Sequence, residues 1–183
     1  ALNIQDWITT EGGLGMMNIL ECEELFQHPL LYAVFLNWML EELYTTLPEV
    51  GDTEIPKVVF FFDEAHLLFD GASKEFLRNI ERTVKLIRSK GVGVFFITQN
   101  PADIPDSVLA QLGNRIQHAL RAYTPTEIRA LRLAADSFRA NPAFDTSEQI
   151  TQLKTGQALV SVLDSEGTPS VVEVTKILPP QSK

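Results

Sequence analysis

The sequence has a single cysteine and fewer basic than acidic residues. Cys22 is the single cysteine among 183 residues, which excludes a disulfide framework and a zinc cluster of several cysteines. The 15 lysines and arginines stand against 24 aspartates and glutamates, giving a net charge of −9. A surface of this overall sign does not hold nucleic acid or an anionic membrane non-specifically. Any contact with nucleic acid therefore requires a local basic patch.

Long hydrophobic runs are also missing. The apolar stretch Leu30–Leu40 contains Asn37 and is followed by Glu41, so it is too short to span a bilayer, and we predict no membrane contact. No charged segment followed by an apolar one opens the chain, so we predict no secretory signal and a cytoplasmic location. The chain begins at Ala1 rather than at a methionine, and we expect it to be part of a longer protein.

What is present is typical of a globular α/β protein. Hydrophobic residues make up 45% of the chain and charged residues 21%, which excludes disorder and coiled coil. Apolar runs alternate with helical patterns in the first two-thirds, which indicates a parallel sheet with crossover helices. The predicted strands are 16–20, 58–62, 92–98 and 115–123, and the predicted helices are 29–47, 73–90, 106–112, 125–136 and 145–153.

The end of the chain has a different pattern. Residues 157–163 and 170–177 lie on either side of the turn Ser165-Glu166-Gly167, which predicts an antiparallel β-hairpin. We therefore expect residues 1–156 to form an α/β core and residues 157–183 to form a terminal hairpin and tail packed on the same domain.

Two carboxylates follow the most apolar predicted strand. Val58–Phe62 has no polar residue, which favours a strand covered on both faces, and Asp63 and Glu64 come directly after it. This is the Walker B pattern of nucleotide hydrolases. Asp63 would hold Mg²⁺ through its water shell, and Glu64 would polarise the water that attacks the γ-phosphate. The alternative is a pair of exposed loop acids.

Gln99 stands at the end of the next predicted strand, which favours the same site. The carboxyl ends of the strands carry the chemistry in open α/β sheets. A glutamine can orient water without acting as a base. The alternative is a turn residue before Asn100 and Pro101. His66 could couple this site to Gln99, although a packed or exposed loop histidine is the other interpretation.

The phosphate-binding half of such a site is missing. The loop G-x-x-x-x-G-K-[ST] needs a Gly-Lys pair, and the sequence contains none. Gly12–Gly15 lacks the lysine and precedes a predicted strand, so it is no substitute. Either a segment outside this chain holds the nucleotide, or the protein does not hydrolyse nucleotides.

Several stretches resemble one family, the HerA-like ATPases of bacteria, specifically the YjgR-type "helicase HerA-like, C-terminal" proteins of the HerA/FtsK branch. These stretches are 57–70, 86–101, 104–118, 141–145 and 169–173, and the resemblance extends over Ala1–Pro180. It implies a RecA-like P-loop NTPase core with a mostly parallel sheet and helices on both faces. It also implies hydrolysis of ATP with Mg²⁺, ring-shaped homo-oligomers with a hexamer as one candidate size, and relatives that move or unwind double-stranded DNA.

The same resemblance implies roles for individual residues. Asp63 matches the magnesium aspartate of the family, Glu64 the catalytic glutamate and Gln99 the glutamine sensor. The family's Walker A loop lies upstream of the matching region, and its strand sits inside the sheet beside the sensor strand. We therefore expect this chain to lack a central strand, to bind ATP weakly or not at all, and to be inactive alone.

Basic residues supply two further hypotheses. A ring of this kind implies an arginine finger, for which Arg115 is the first candidate and Arg121 the second; the alternative is that each pairs with a carboxylate. A stripe at helical spacing suggests contact with a phosphate backbone or a neighbouring subunit, although a solvated helix face balanced by acids is the other interpretation. This basic stripe consists of Lys74, Arg78, Arg82, Lys85 and Arg88.

The function most consistent with these features is a fragment of a HerA-type DNA translocase or helicase motor. Two alternatives stay open: a non-enzymatic ring-assembly module, and a regulatory ATPase that acts on a protein partner. Asp63–His66 also spells the DEAH box of RNA helicases, but the downstream motifs of those enzymes are not evident.

Overall fold

The computed structural model describes residues 3–51 and 53–181 and has two compact units. The first unit contains the chain up to Gln99 together with Asp103–Gln111, and the second contains Asn100–Ala102 and the chain from Leu112 onward. Within the described ranges, no helix combines the length and the apolar character needed to cross a membrane.

The first unit is α/β, as predicted. Strands β3 and β4 pair in parallel and in register, from Val58 opposite Val92 to Phe62 opposite Phe96. A short antiparallel pair, β1 and β2, lies near the start of the chain. The elements of this unit are β1 Thr10–Glu11, β2 Leu14–Gly15, α1 Glu23–Phe26, α2 Pro29–Thr46, β3 Val58–Phe62, α3 His66–Phe69, α4 Lys74–Ile87, β4 Val92–Phe96 and α5 Asp106–Leu109, with 3-10 turns at Ile4–Ile8 and Arg88–Lys90.

Helix α4 shows how the sequence builds this unit. The hydroxyl of Ser73 accepts the backbone N–H of Phe76 and so caps the first turn. Phe76, Ile80 and Ile87 are buried in the core, which they share with α2, α3 and the inner side chains of β3 and β4. After the 3-10 turn, Gly91 adopts a left-handed φ of 74°, which ends the helical segment where the sequence predicts its stop.

The burial of this unit differs from the sequence-based expectation. Phe61 of β3 and Phe95 of β4 stack at 4.8 Å on the outer face of the sheet and remain 64% and 44% exposed. Leu30 and Val34 likewise leave one side of α2 exposed, and residues 16–20 are exposed and form no strand. The predicted cover on both faces of β3 and the predicted strand 16–20 are therefore wrong, because an apolar sequence favours burial but does not show which neighbouring element is present to cover it.

The second unit is built on an antiparallel sheet. Strand β6 lies between β5 and β7 and is antiparallel to both. The pairing of β6 with β7 confirms the predicted hairpin. Among the described residues, only β3 and β4 pair in parallel, so a mostly parallel sheet is not observed there. The elements of this unit are β5 Arg115–Gln117, α6 Pro125–Asp136, α7 Thr146–Gln152, β6 Gln157–Ser161 and β7 Glu173–Lys176.

Two local predictions in this unit have different outcomes. The predicted helix 125–136 is confirmed as α6, and a capping box begins it: Thr124 accepts the backbone N–H of Glu127 while the Glu127 side chain accepts that of Thr124. The predicted strand 115–123 ends early, at Gln117. Gln117 pairs with Leu159, and a strand continued by two residues would lie opposite Gln157, the first residue of β6. Beyond that point β6 offers no residue with which β5 could pair.

Candidate functional site

The predicted site lies where β3 and β4 end side by side. The register places Phe62 opposite Phe96, so the segments that follow leave the same edge of the sheet. Two backbone hydrogen bonds continue the pairing, from Ile97 N–H to the Phe62 carbonyl at 2.9 Å and from Ala65 N–H to the Ile97 carbonyl at 2.8 Å. Asp63, Glu64 and Gln99 therefore emerge at one edge, as the strand order predicts.

Glu64 and Gln99 are in direct contact. The side-chain amide Nε2 of Gln99 donates a hydrogen bond of 2.7 Å to Oε1 of Glu64. A hydrogen bond to an ionised carboxylate is about twice as strong as one between neutral groups. The residue before Gln99 is also fixed, because the Thr98 hydroxyl contacts Oδ2 of Asp103 at 2.8 Å. The sequence-predicted glutamate and glutamine thus form one bonded pair.

The backbone of Glu64 has an unusual conformation. Its φ is 48°, and within residues 3–51 and 53–181 no other non-glycine residue has a positive φ. This left-handed conformation costs a residue other than glycine about 1–2 kcal/mol. The turn is held by the Glu64 N–H, which donates to Oδ1 of Asp63 at 3.0 Å, and by the Glu64 carbonyl, which accepts the Leu67 N–H at 2.9 Å. Strain of this kind is concentrated at functional sites.

His66 approaches the second oxygen of the same carboxylate. Its Nδ1 lies 3.3 Å from Oε2 of Glu64, and both side chains are about two-fifths exposed overall, at 41% and 39%. The Oε2 atom itself is shielded from solvent and lacks a hydrogen bond in the described part of the chain. The two observations agree if the imidazole is within ion-pair distance but is not aligned for a hydrogen bond. Both oxygens of Glu64 therefore face side chains of the protein.

Asp63 suits the magnesium ion that the family resemblance implies. Its side chain is exposed, and among the described residues Oδ1 accepts a hydrogen bond from the neighbouring Glu64 N–H alone. Mg²⁺ prefers oxygen ligands and keeps several waters, so one or two carboxylates and the substrate phosphates are sufficient to hold it. Across the described ranges, no group of three or more His, Cys, Asp or Glu side chains could enclose a metal ion. A single exposed carboxylate fits a water-mediated site.

The two arginine-finger candidates have different surroundings. Arg115 donates from Nη1 to the backbone carbonyl of Ser137, the C-cap of α6, at 2.7 Å. Burial of this guanidinium lowers the pKa of Arg115 from its ordinary value. Arg121 is exposed, and its side chain makes no hydrogen bond or ion pair to the residues that the structure describes. The catalytic role of either residue stays a prediction.

The basic stripe lies on the outer side of α4 and of the turn after it. Its five members are all exposed, whereas Phe76, Ile80 and Ile87 of the same segment are buried. The helix is therefore basic on its outer side and apolar on its inner side, as the spacing predicts. The stripe carries five positive charges on a protein whose net charge is −9.

The contact between His66 and Glu64 is the part of the site that the sequence leaves undecided. Residues two positions apart lie on the same face of a strand, but they do not face each other on a helix. The spacing of Glu64 and His66 alone therefore does not fix the distance between their side chains. The deciding feature is the left-handed φ of Glu64, which no motif in the sequence encodes.

The chain matches known proteins over almost all of its length. The family model described as "Helicase HerA-like C-terminal" matches residues 1–183. The chain is 28% identical over 169 residues to the probable helicase MJECL08 of Methanocaldococcus jannaschii, and 24% identical over 163 residues to the probable helicase MJ1565 of the same organism. Each alignment covers 87% of this chain, but only 31% and 30% of those relatives, so the chain spans about a third of their length.

Solved structures with a similar fold are more distant in sequence. The genome packaging NTPase B204 of Sulfolobus turreted icosahedral virus 2, in complex with AMP, has a TM-score of 0.52 and 17% identity, with 98% of this chain and 73% of that chain covered. The bacterial conjugative coupling protein TrwB, without ligand, has a TM-score of 0.64 and 13% identity, with 98% and 44% covered. At these identities the likeness concerns the fold.

Proposed function

The chain belongs to the helicase HerA-like C-terminal family, and from this premise we propose that it is the C-terminal part of a Mg²⁺-dependent ATPase motor. The observation that carries the proposal is the hydrogen bond of 2.7 Å between Gln99 and Glu64 at the shared end of β3 and β4. This bond joins a carboxylate, which can activate water, to a side-chain amide, which can orient water. Both lie at the edge where open α/β sheets bind ligands.

In this proposal Glu64 is the general base. Its carboxylate accepts a proton from the water that attacks the γ-phosphate, a role worth about 10²–10⁴ in rate. Gln99 fixes one oxygen of that carboxylate and thereby orients it. Asp63 would hold the magnesium ion through water, and when bound the ion supplies neutralisation of phosphate charge. The structure of TrwB with the non-hydrolysable ATP analogue ADPNP, also similar in fold, supports ATP as the nucleotide.

We further propose that this chain lacks the phosphate-binding strand of a RecA-like core. Two features support this: among the described strands β4 pairs with β3 alone, and Phe61 and Phe95 leave the outer face of the sheet exposed. Parallel sheets are otherwise found with both faces covered. In the complete protein, the strand of the phosphate-binding loop would pair with β4, and its helix would cover that face. Without that segment the chain binds ATP weakly and does not hydrolyse it.

The substrate and assembly of the complete protein follow from the same premise. We propose homo-oligomeric rings, with a hexamer as one candidate, that act on double-stranded DNA through the basic stripe of α4. Lys74, Arg78 and Arg82 are spaced by one helical turn each and are exposed, which suits contact with successive phosphates. A stripe that neutralises several phosphates makes binding strongly salt-dependent. The relatives called probable helicases and the packaging NTPase support a nucleic-acid substrate.

An arginine finger would complete the ring. Arg121 is exposed with a free guanidinium among the described residues, whereas Arg115 is already bonded to the Ser137 carbonyl. This contrast favours Arg121, although the sequence placed Arg115 first. In a mixture of subunits, a finger residue supplied by one subunit restores turnover to a neighbour whose own Glu64 is intact. Arg121→Ala and Arg115→Ala subunits, each mixed with Glu64→Gln subunits, identify which arginine acts across the interface.

The experiment that tests the proposed function measures ATP turnover with Mg²⁺, with and without duplex DNA. Four proteins are compared: this chain, a form extended upstream through a Gly-Lys-Thr/Ser loop, and that extended form carrying Glu64→Gln or Glu166→Gln. Glu166 is an exposed glutamate of the loop before β7 and serves as the matched control.

We expect turnover only from the extended form, with a loss of about 10²–10⁴ in kcat for Glu64→Gln, retained ATP binding, and no loss for Glu166→Gln. Stimulation by DNA favours a motor, and its absence favours a regulatory ATPase acting on a protein. If the extended form neither binds nor hydrolyses ATP, the proposal fails and a ring-assembly module is the better explanation.

A further inference from the structure

We infer that His66 is a positioning residue for Glu64, fixing the carboxylate oxygen that Gln99 does not reach. The inference rests on the proposed function, because it assumes that Glu64 acts on water. Its basis is a geometric one: Nδ1 of His66 lies 3.3 Å from Oε2 of Glu64, while Nε2 of Gln99 lies 2.7 Å from Oε1. The carboxylate is thus held between two nitrogen atoms from separate segments of the chain.

The approach of His66 to Glu64 requires the strained turn between them. On a regular helix, side chains two positions apart do not face each other. Here the left-handed Glu64, with φ of 48°, lies in the turn before α3, which begins at His66. The Ala65 N–H bond to the Ile97 carbonyl and the Asp70 N–H bond to the His66 carbonyl hold the residues on either side of this turn. The strained turn therefore brings the side chains of Glu64 and His66 together.

A second partner is needed because one hydrogen bond does not fix a carboxylate. The terminal torsion of a glutamate side chain is broad, so the group can rotate about its last bond while Oε1 stays bonded. Oε2 is shielded from solvent and accepts no hydrogen bond within the described residues, which is costly for a charged oxygen. A small rotation of the His66 ring, with its proton on Nδ1, satisfies that oxygen and locks the plane of the carboxylate.

The test uses three substitutions at residue 66 in the upstream-extended protein. Asparagine places an amide nitrogen close to the position of the imidazole Nδ1, glutamine places it close to that of Nε2, and leucine keeps the bulk without a donor. If His66 positions Glu64, His66→Asn retains kcat within about threefold, whereas His66→Gln and His66→Leu lose about tenfold or more, in the range found for residues that orient a functional ligand. The KM for ATP is expected to stay unchanged, because binding does not involve Glu64.

A residue that merely packs gives the opposite order, with leucine best and both amides poor. Equal kcat in all three variants, or equal loss in His66→Asn and His66→Leu, overturns the inference. Thermal unfolding of each variant is measured alongside, and the comparison of Asn with Gln stands even if His66→Leu does not fold. In a Glu64→Gln background, the change at residue 66 should have no further effect on the residual rate.

The two proposals fail in different ways. If Glu64→Gln is as active as the unaltered protein, the proposed function is wrong and the inference is wrong with it. If Glu64→Gln is inactive while His66→Leu keeps full kcat, only the role of His66 is overturned.

Discussion

The strand ends of the two units use polar side chains differently. At the ends of β3 and β4, Gln99 and Glu64 bond side chain to side chain. At β5, Arg115 donates to the Ser137 carbonyl, and the preceding Asn114 accepts the Leu163 N–H. Bonds to backbone groups satisfy the chain itself and are typical of structural residues. The bond between Gln99 and Glu64 satisfies no backbone group, so the fold of the chain itself does not account for it.

The strongest test of this difference replaces one glutamine in each unit. Gln99→Ala removes the hydrogen-bond donor to Oε1 of Glu64. We expect kcat of the upstream-extended protein to fall by about 10²-fold, the lower range for a positioned acid–base group. Gln117→Ala is the matched control, because the Gln117 amide donates to the carbonyl of its neighbour His118 at 2.9 Å. Steady-state ATP turnover should separate the two variants. Similar kcat values would mean that the two strand ends do not differ in function.

One glycine in each unit allows the packing of the two units to be compared. A Cβ at Gly113, next to β5, would collide with the side chain of Leu163, whereas a Cβ at Gly93 in β4 would meet Val59 at 3.4 Å, an ordinary contact. We expect Gly113→Ala to lower the free energy of unfolding by about 1–3 kcal/mol through overpacking. Gly93→Ala should change it little. Chemical denaturation of both variants measures the difference, and equal stability would show that the Leu163 side chain moves aside without cost.

The sequence predicts local structure in this protein far better than burial. Gly91 and the box of Thr124 and Glu127 mark helix ends correctly, because their signals lie within a few residues. Lys90 shows the limit: it is only 7% exposed, and its ammonium group donates to the Leu47 carbonyl 43 positions away. A contact over that separation depends on the fold and leaves no local pattern. The exposed face of Phe61 escapes prediction for the same reason.

The sequence predicts which residues form the site but not which of their side chains are in contact. Asp63, Glu64 and Gln99 are predictable because each follows an apolar strand, and parallel strands bring their carboxyl ends together. That Gln99 bonds to Glu64, rather than to a water, depends on the side-chain geometry of the folded chain. That His66 faces the same carboxylate depends on the left-handed φ of Glu64. Backbone strain of this kind contradicts the local preference of the residue, so analysis of sequence patterns does not predict it.

The strain at Glu64 can be measured without any assay of activity. Glu64→Ala and Glu64→Gly both remove the carboxylate and its bond to Gln99, but only glycine adopts the φ of 48° without steric cost. We expect the glycine variant to be more stable than the alanine variant by about 1 kcal/mol. Ala65, with φ of −57°, provides the control, because glycine there should reduce stability. A glycine variant less stable than the alanine variant would mean that the turn relaxes once the side chain is gone.

The smallest expected effect is the pH dependence of the stability that the caps of α6 and α4 contribute. Backbone N–H groups of Tyr123 and Thr124 bond to the Glu127 carboxylate, favour its ionised form and lower its pKa from the ordinary value. A lowered pKa in the folded state adds stability above the unfolded pKa of about 4.3 and loses it as pH falls through the folded value. Glu127→Gln should therefore lower the melting temperature at pH 7, and the difference should close in acid. Ser73→Ala, which removes the hydroxyl cap of α4, should cost about 1 kcal/mol with no such dependence, because a hydroxyl does not titrate in this range. A Glu127→Gln difference that persists at pH 3 would assign the stabilisation to the shape of the side chain rather than to its charge.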